Sequence, residues 1–397
     1  MFEPMRWLVL TSALFGVAGC SGNGDRPPYA SSKAVGGASS YQVSSGGNRC
    51  GAPTPDAGLC GNQSLPTVQE RPNLYFIIDA SGSMGDLFTG AQTTKYLAAV
   101  EAITGVLEQI GHRVSYGVAL YPVNDNSDCG LPGSEVFPTQ AGDSVTCSIN
   151  GKRGDVLTRL HEYLSYSVVP GGGTPLSATL RALEPTLTSL SGKTAVILAT
   201  DGAPNCNLDA KCGPELCEPN LNGATLFGTT IACDASFNCC DPKNVVNGGL
   251  NCVDSVASSA ALAELHDHGI STYVIGLPGG DSTLGSVLEG LAISGGTARA
   301  TPPSYYEADD PQTLANTLRA IATQIAVSCT ITLDNTPPNW GQVNVYLDTQ
   351  QVPQSTQDGW QQIDANTLEI IGTYCTQLQS GNVYQVQVTA GCVTYVN

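Results

Sequence analysis

Leu74-Tyr75-Phe76-Ile77-Ile78-Asp79-Ala80-Ser81-Gly82-Ser83 is an apolar run that stops abruptly in small and acidic residues. Its five apolar residues do not alternate with polar ones, so both faces of the strand they predict must be covered, as in a parallel sheet lying between layers of helix. Tyr116 to Tyr121, Thr194 to Ala199 and Ile270 to Leu277 read the same way. Between these runs the apolar spacing changes to three and four: Leu97, Val100, Ile103, Leu107 and Ile110, then Leu176, Leu180, Leu183, Leu187 and Leu190, and later Leu314, Leu318, Ile321 and Ile325. These are helices with one apolar stripe. Pro185 predicts a kink or a break near Leu183. Alternating strands and helices predict an α/β fold, a doubly wound, mostly parallel sheet flanked by helices. In such sheets ligands gather outside the carboxyl ends of the strands, where strand order reverses.

The chemically informative residues fall at those ends. The first strand runs into Asp79-Ala80-Ser81-Gly82-Ser83, and the third into Thr200-Asp201-Gly202. Gly171-Gly172-Gly173-Thr174-Pro175 opens the helix that starts at Leu176. Together these loops offer the carboxylates of Asp79 and Asp201 and the hydroxyls of Ser81, Ser83 and Thr174. An all-oxygen set suits a hard cation that keeps some of its waters, Mg²⁺ or Mn²⁺. Capping of the next helix by Asp79 and Ser81 is the plain alternative, and it accounts for one loop rather than three.

This constellation resembles the metal-ion-dependent adhesion site (MIDAS) of von Willebrand factor type A (VWA) domains, a Rossmann-like family marked by Asp-x-Ser-x-Ser, then a Thr, then an Asp. The resemblance covers about Pro72 to Val327. It implies that Ser81, Ser83 and Thr174 ligate the metal directly or nearly so, and that Asp79 and Asp201 bind it directly or through water. It also implies recognition rather than catalysis: an Asp or Glu of a partner protein completes the metal's shell. Two alternatives stay open, a metal-dependent hydrolase and an envelope scaffold whose metal site is vestigial.

Other motifs are weaker. Ser191-Gly192-Lys193-Thr194 lacks the upstream glycine of a phosphate loop, because position 187 is Leu, and reads as a turn into a strand. Asp125-Asn126-Ser127-Asp128 lacks the closing Glu of a calcium loop. His266 and His268 suit a helix C-terminus. With 16 Lys and Arg against 34 Asp and Glu, a net charge of −18, and no basic cluster, nucleic acid is excluded as a partner.

Fifteen cysteines in the chain indicate an oxidising compartment. Residues 1–20 carry Arg6, an apolar run from Trp7 to Val17 that is too short to span a bilayer, and Val17-Ala18-Gly19-Cys20. The ending resembles the lipobox of bacterial lipoproteins. That resemblance implies a signal peptide cleaved before an acylated Cys20 and, with Ser21 next, outer-membrane or cell-surface residence, the membrane being met only through the lipid. Setting Cys20 aside leaves fourteen cysteines, an even number that can all pair. Residues 21–70 read as a flexible linker closed by a small Cys50–Cys60 loop; its Ser21 to Arg49 part has a reach of about 30 Å.

The domain is expected over 71–327, interrupted at 202–254 by an insertion with cysteines at 206, 212, 217, 233, 239, 240 and 252. Their spacing matches no paired zinc motif, so disulfides are expected, with vicinal Cys239 and Cys240 going to different partners. Cys129–Cys147 and Cys375–Cys392 are the expected local pairs. Seven is odd, so one insertion cysteine must reach outside, to Cys329 by elimination. The insertion reads either as a specificity cap over the metal or as a stabilising decoration. Residues 328–397 alternate Val and Leu with polar residues between turn signals, which predicts a small antiparallel β module. The whole arrangement resembles VWA lipoproteins of Gram-negative bacteria, myxobacteria in particular.

Overall fold

The computed structural model describes residues 41–42, 63–65, 67–68, 71–88, 90–123, 127, 129–143, 154–221, 236–279, 282–379, 383 and 385–396. The signal peptide, Cys20, Cys50, Cys60 and Cys147 lie outside them. Among the described residues no helix is long and apolar enough to cross a membrane.

Three two-residue strands come first: β1 (Tyr41–Gln42), β2 (Gln63–Ser64) and β3 (Thr67–Val68). The central sheet holds β4 (Asn73–Asp79), β5 (Ser115–Tyr121), β6 (Ser134–Ala141), β7 (Thr194–Thr200), β8 (Ser271–Gly276) and β9 (Tyr306–Glu307), in the order β6-β5-β4-β7-β8-β9. Only β6 runs antiparallel, as an edge strand on β5. Of its residues, Ser134 to Ala141, only Phe137 is buried, and the apolar ones are too few and scattered for an apolar run to announce the strand. The chain builds outward from β4 to β5 and β6 on one side, then returns to add β7, β8 and β9 on the other. Strand order therefore reverses between β4 and β7.

The strand β4 is buried at all seven positions. Leu74, Phe76 and Ile78 face one layer, formed by α1 (Lys95–Ile110), α2 (Asp155–Tyr166) and α7 (Pro311–Ala326). Tyr75 and Ile77 face the other, formed by α3 (Leu176–Ser189), α5 (Ser255–Asp267) and α6 (Ser282–Ser294). At about 25 cal/mol per Å² of apolar surface removed from water, this double burial is the main force fixing β4 in the sheet. The helix α1 starts where Thr94 Oγ1 accepts the Leu97 amide at 3.2 Å. Val100, Ile103, Leu107 and Ile110 are buried as expected, but Leu97 is 38% exposed and Tyr96 takes its place inside. Pro185 does not break α3, which runs through it to Ser189. Leu180, Leu183 and Leu187 stay buried on one stripe across the proline, so packing holds the helix despite the lost backbone bond.

The remaining described strands form a small antiparallel β module. Its strands are β10 (Thr330–Leu333), β11 (Val343–Leu347), β12 (Gln350–Val352), β13 (Gly359–Gln362), β14 (Thr367–Ile371) and β15 (Gln385–Ala390), with α8 (Thr373–Gln379) before the last. They make two sheets, β1-β15-β11-β12 with β2 also on β15, and β13-β14-β10-β3. Val345, Leu347, Val352, Trp360, Leu368, Ile370 and Val388 fill the space between. The segment read as linker thus supplies β1, β2 and β3 to these sheets, and Leu65 is buried in the module's core.

Three of the expected cysteine pairings are corrected. Cys375 pairs with Cys329 and not Cys392, because the β10–β14 pairing sets the Cys329 carbonyl against the Ile370 amide (2.7 Å), with α8 and Cys375 just beyond. Cys329 is therefore not the outside partner of the insertion. Cys129 pairs with Cys206 across 77 residues, and not with Cys147. Both cysteines follow strands, β5 and β7, that flank β4 and point the same way, so the fold joins loops far apart in sequence. Among the described residues whose partners are seen, Cys206 is the insertion cysteine that reaches outside.

Candidate metal site

The three loops meet at the carboxyl ends of β4 and β7, held by backbone bonds: Gly82 N to Gly172 O (3.0 Å) and Gly171 N to Ala80 O (2.8 Å). Asp79, wholly buried at the end of β4, accepts the Ser81 amide on Oδ1 at 2.8 Å and the Thr200 hydroxyl on Oδ2 at 2.6 Å. The Ser81 and Ser83 hydroxyl oxygens are 3.3 Å apart. Ser83 donates to Asp201 Oδ1 at 2.8 Å. A β-carbon placed on Gly202 would lie 3.6 Å from Thr174 Oγ1 and 3.8 Å from Ser83 Oγ, so those two hydroxyls border one small space. Asp79, Ser81, Ser83, Thr174 and Asp201 are thus brought into one cluster. Ser83 alone is exposed; the others are at least nine-tenths buried.

Three further residues complete the cluster. Thr200 bonds Asp79 from the position just before Asp201. Asn205 clamps Thr174: its Oδ1 accepts the Thr174 amide at 2.6 Å, and its own amide donates to the Thr174 carbonyl at 2.9 Å. Its Nδ2 donates to Glu218, which lies in α4 (Glu218–Leu221) of the insertion. Gly173 must be glycine here, because a β-carbon would lie 2.5 Å from Cys206 Sγ and 2.9 Å from Asn205 Oδ1. The third residue is Lys95. Its Nζ donates to Asp201 Oδ2 at 2.7 Å, and the side chains are only 8% and 0% exposed. A lysine at the first residue of a helix opposes the helix dipole, a local conflict legible in the sequence, but nothing there named Asp201 as the group that holds it.

Burial, and after it the charge of Asp201, pushes the Asp79 carboxyl up to about 7; the bonds from Thr200 and Ser81 pull the other way. With Asp79 ionised, two carboxylates and one ammonium leave one buried negative charge uncompensated, which is costly in a low-dielectric site. The donor set fits a hard divalent ion. At a metal–oxygen distance of about 2.1 Å, adjacent octahedral ligands stand about 3.0 Å apart, close to the 3.3 Å and 2.8 Å separations about Ser83. The histidines at 161, 266 and 268 serve elsewhere. His161 bonds Glu101 at 2.9 Å, His268 lies 3.5 Å from Glu184, and His266 sits in the last turn of α5.

Among the described residues, the insertion carries two internal disulfides, Cys212–Cys252 and Cys217–Cys240, and Cys239 is disulfide-bonded as well. The sulfurs of Cys212, Cys240 and Cys252 lie within 4.8 Å of one another because these bridges pack together. Besides Cys129–Cys206, the insertion is tied to the domain by Asp254, which accepts the Ser177 hydroxyl of α3 and the Asn207 side-chain amide.

No family model and no curated protein matches the sequence. Among solved structures, the pilus adhesin SpaC from Lactobacillus rhamnosus GG is 17% identical with a TM-score of 0.46, over 83% of this chain and 39% of that one. The chain thus spans about two fifths of SpaC. The vWF domain of the type V pili tip protein Mfa5 from Porphyromonas gingivalis is 12% identical with a TM-score of 0.41, over 65% and 97%. A von Willebrand factor type A structure from Catenulispora acidiphila is 14% identical with a TM-score of 0.40, over 85% and 63%.

Proposed function

We propose that this protein is an exported, cell-envelope-anchored binding and adhesion module that recognises an acidic group of a partner protein through a divalent cation, Mg²⁺ or Mn²⁺, held by Asp79, Ser81, Ser83, Thr174 and Asp201. The observation that carries this reading is the convergence of those five oxygen-bearing side chains at the reversal of strand order, with Ser83 open to solvent. The cation, when bound, supplies an electrophilic position for an incoming carboxylate oxygen. Lys95 sharpens that preference. Two carboxylates alone would cancel a divalent charge; with the Lys95 ammonium the loaded cluster carries one net positive charge, which favours an anionic partner. Ser81, Ser83 and Thr174 contribute donors without adding negative charge. Cys20 is proposed as the lipid-bearing residue, with the partner bound outside the membrane.

Calorimetric titration of the full chain with Mn²⁺, followed by acetate as a minimal carboxylate, tests this directly. Saturable binding of Mn²⁺, lost in Asp201→Ala, and acetate binding only in the metal-loaded protein are expected. Equal Mn²⁺ affinity in both proteins, or acetate binding in chelator, refutes the site.

A further inference from the structure

Next to the metal cluster, the loop leaving β8 opens into a cleft of about 390 Å³. Leu277, Leu284 and Leu288 line it with apolar surface, Tyr305 adds an aromatic ring, and Glu307 and Asp309 bring two exposed carboxylates. Tyr305 is nine-tenths buried as a residue, and its hydroxyl, which has no protein hydrogen-bond partner among the described residues, stays open to solvent. Neither Glu307 nor Asp309 has an ion-pair partner among them. The neighbouring cations are already engaged. Lys95 is bound to Asp201, and Arg299 donates to the Pro303 and Tyr305 carbonyls with its guanidinium 5.5 Å from the Tyr306 ring centre. The field in the cleft is negative: burial first, then Glu307, Glu289 and Asp309, pushes the Tyr305 phenol above its ordinary value.

Gly279 joins cleft and metal cluster. It lines the cleft, and a β-carbon on it would lie 2.7 Å from Lys95 Nζ and 3.5 Å from Asp201 Oδ2. Its φ of +153° is one that only glycine adopts readily. Gly279 thus sets the cleft beside the Lys95–Asp201 pair of the cluster.

An apolar lining, an aromatic face, an unpaired hydroxyl and two unpaired carboxylates match a cationic head on an aliphatic stem. We propose that the cleft takes a lysine or arginine side chain of the same partner whose carboxylate meets the metal, so that this protein reads an acid and a base together. The cation preference stands on the cleft alone; the pairing with an acid rests on the metal reading above.

The test is NMR of the full chain with ring-labelled tyrosine, the Tyr305 signal being identified by its loss in Tyr305→Phe. The first probe is Nα-acetyl-lysine N-methylamide, and the control is its norleucine analogue, both in chelator. The lysine amide should shift the Tyr305 signal saturably and the norleucine amide should not. Joint Glu307→Gln and Asp309→Asn substitution, at exposed positions, should weaken lysine binding about fivefold. Equal shifts from both probes, or unchanged affinity in the double variant, overturn the cleft's assignment. The second probe set is acetylated peptides holding Glu and Lys apart by glycine spacers of varied length. In Mg²⁺ at least one should bind more tightly than the lysine amide. If none does while Mg²⁺ itself binds, the cleft serves free amines and the paired recognition is wrong. If Mg²⁺ does not bind but the lysine amide does, the metal reading fails and the cation cleft stands.

Discussion

Replacing Lys95 by Met removes a charge and keeps most of the side chain's bulk. The ammonium lies 2.7 Å from Asp201 Oδ2, with both side chains buried. At an effective dielectric of about 20, unit charges at that distance attract by about 6 kcal/mol. Desolvation of the pair offsets part of this, and breaking one side of a buried pair costs about 3–5 kcal/mol. Removing a cation from a helix N-terminus returns about 0.5 kcal/mol. Lys95→Met should therefore lose about 3 kcal/mol in chelator, or about 6–12 °C in melting temperature for a domain of this size. With Mg²⁺ the sign reverses for the metal. The loaded cluster changes from one net positive charge to neutral, so Mg²⁺ should bind the variant at least about tenfold more tightly, equivalent to about 1.4 kcal/mol, and Mg²⁺ should raise its melting temperature more than that of the native protein. Acetate should bind the loaded variant more weakly. Scanning fluorimetry with and without Mg²⁺, beside calorimetry, reads all three effects. Unchanged stability in chelator, or weaker Mg²⁺ binding, would refute the charge argument, and general unfolding cannot imitate tighter metal binding.

Two further predictions concern the insertion. Burial pushes the Glu218 carboxyl from an ordinary 4.5 up to about 7. The native state therefore holds this proton longer than the unfolded chain. Its stabilising effect is complete below about pH 4.5 and is lost as pH rises through about 7, so Glu218→Gln should flatten chelator-state stability over that window and leave the protein about 1–2 kcal/mol more stable than native at pH 8; parallel stability–pH curves for the two proteins would show that Glu218 does not titrate this way. Joint Cys129→Ser and Cys206→Ser substitution opens a 77-residue loop and should cost about 4.5 kcal/mol on the chain-entropy account. Because Cys206 adjoins Asn205, the clamp on Thr174, the same variant should also bind Mn²⁺ more weakly; a stability loss with unchanged Mn²⁺ affinity would confine the bridge to a structural role.

The buried strands were legible because their burial is a local property of composition. Leu74 to Ile78 need cover on both faces wherever they lie, and four such runs with helices between them admit few topologies. The loops at their ends followed from strand direction alone. The half-exposed β6 carried no such signature. The expected disulfides went wrong where short sequence separation stood in for spatial proximity: Cys129 and Cys206 are neighbours only because β5 and β7 flank β4. Cys329 and Cys375 are neighbours only because β10 pairs with β14.

Lys95 was missed for a different reason, and it bears most on function. A ligand motif identifies groups that donate electron pairs, whereas affinity and selectivity depend on total charge, including charges that donate nothing to the metal. Counted from Asp79 and Asp201 alone, the loaded site is neutral and has no reason to prefer an acid over a neutral carbonyl. Counted with Lys95, the proposed loaded site would carry a positive charge that a partner's carboxylate could neutralise. The same ammonium partly compensates the cluster when no metal is bound, so Asp201 does not stand as a second unpaired carboxylate beside Asp79. On the proposed function, one buried lysine would weaken metal binding and strengthen discrimination for an anion, and separating those opposed effects needs metal affinity and carboxylate affinity measured on the same variant.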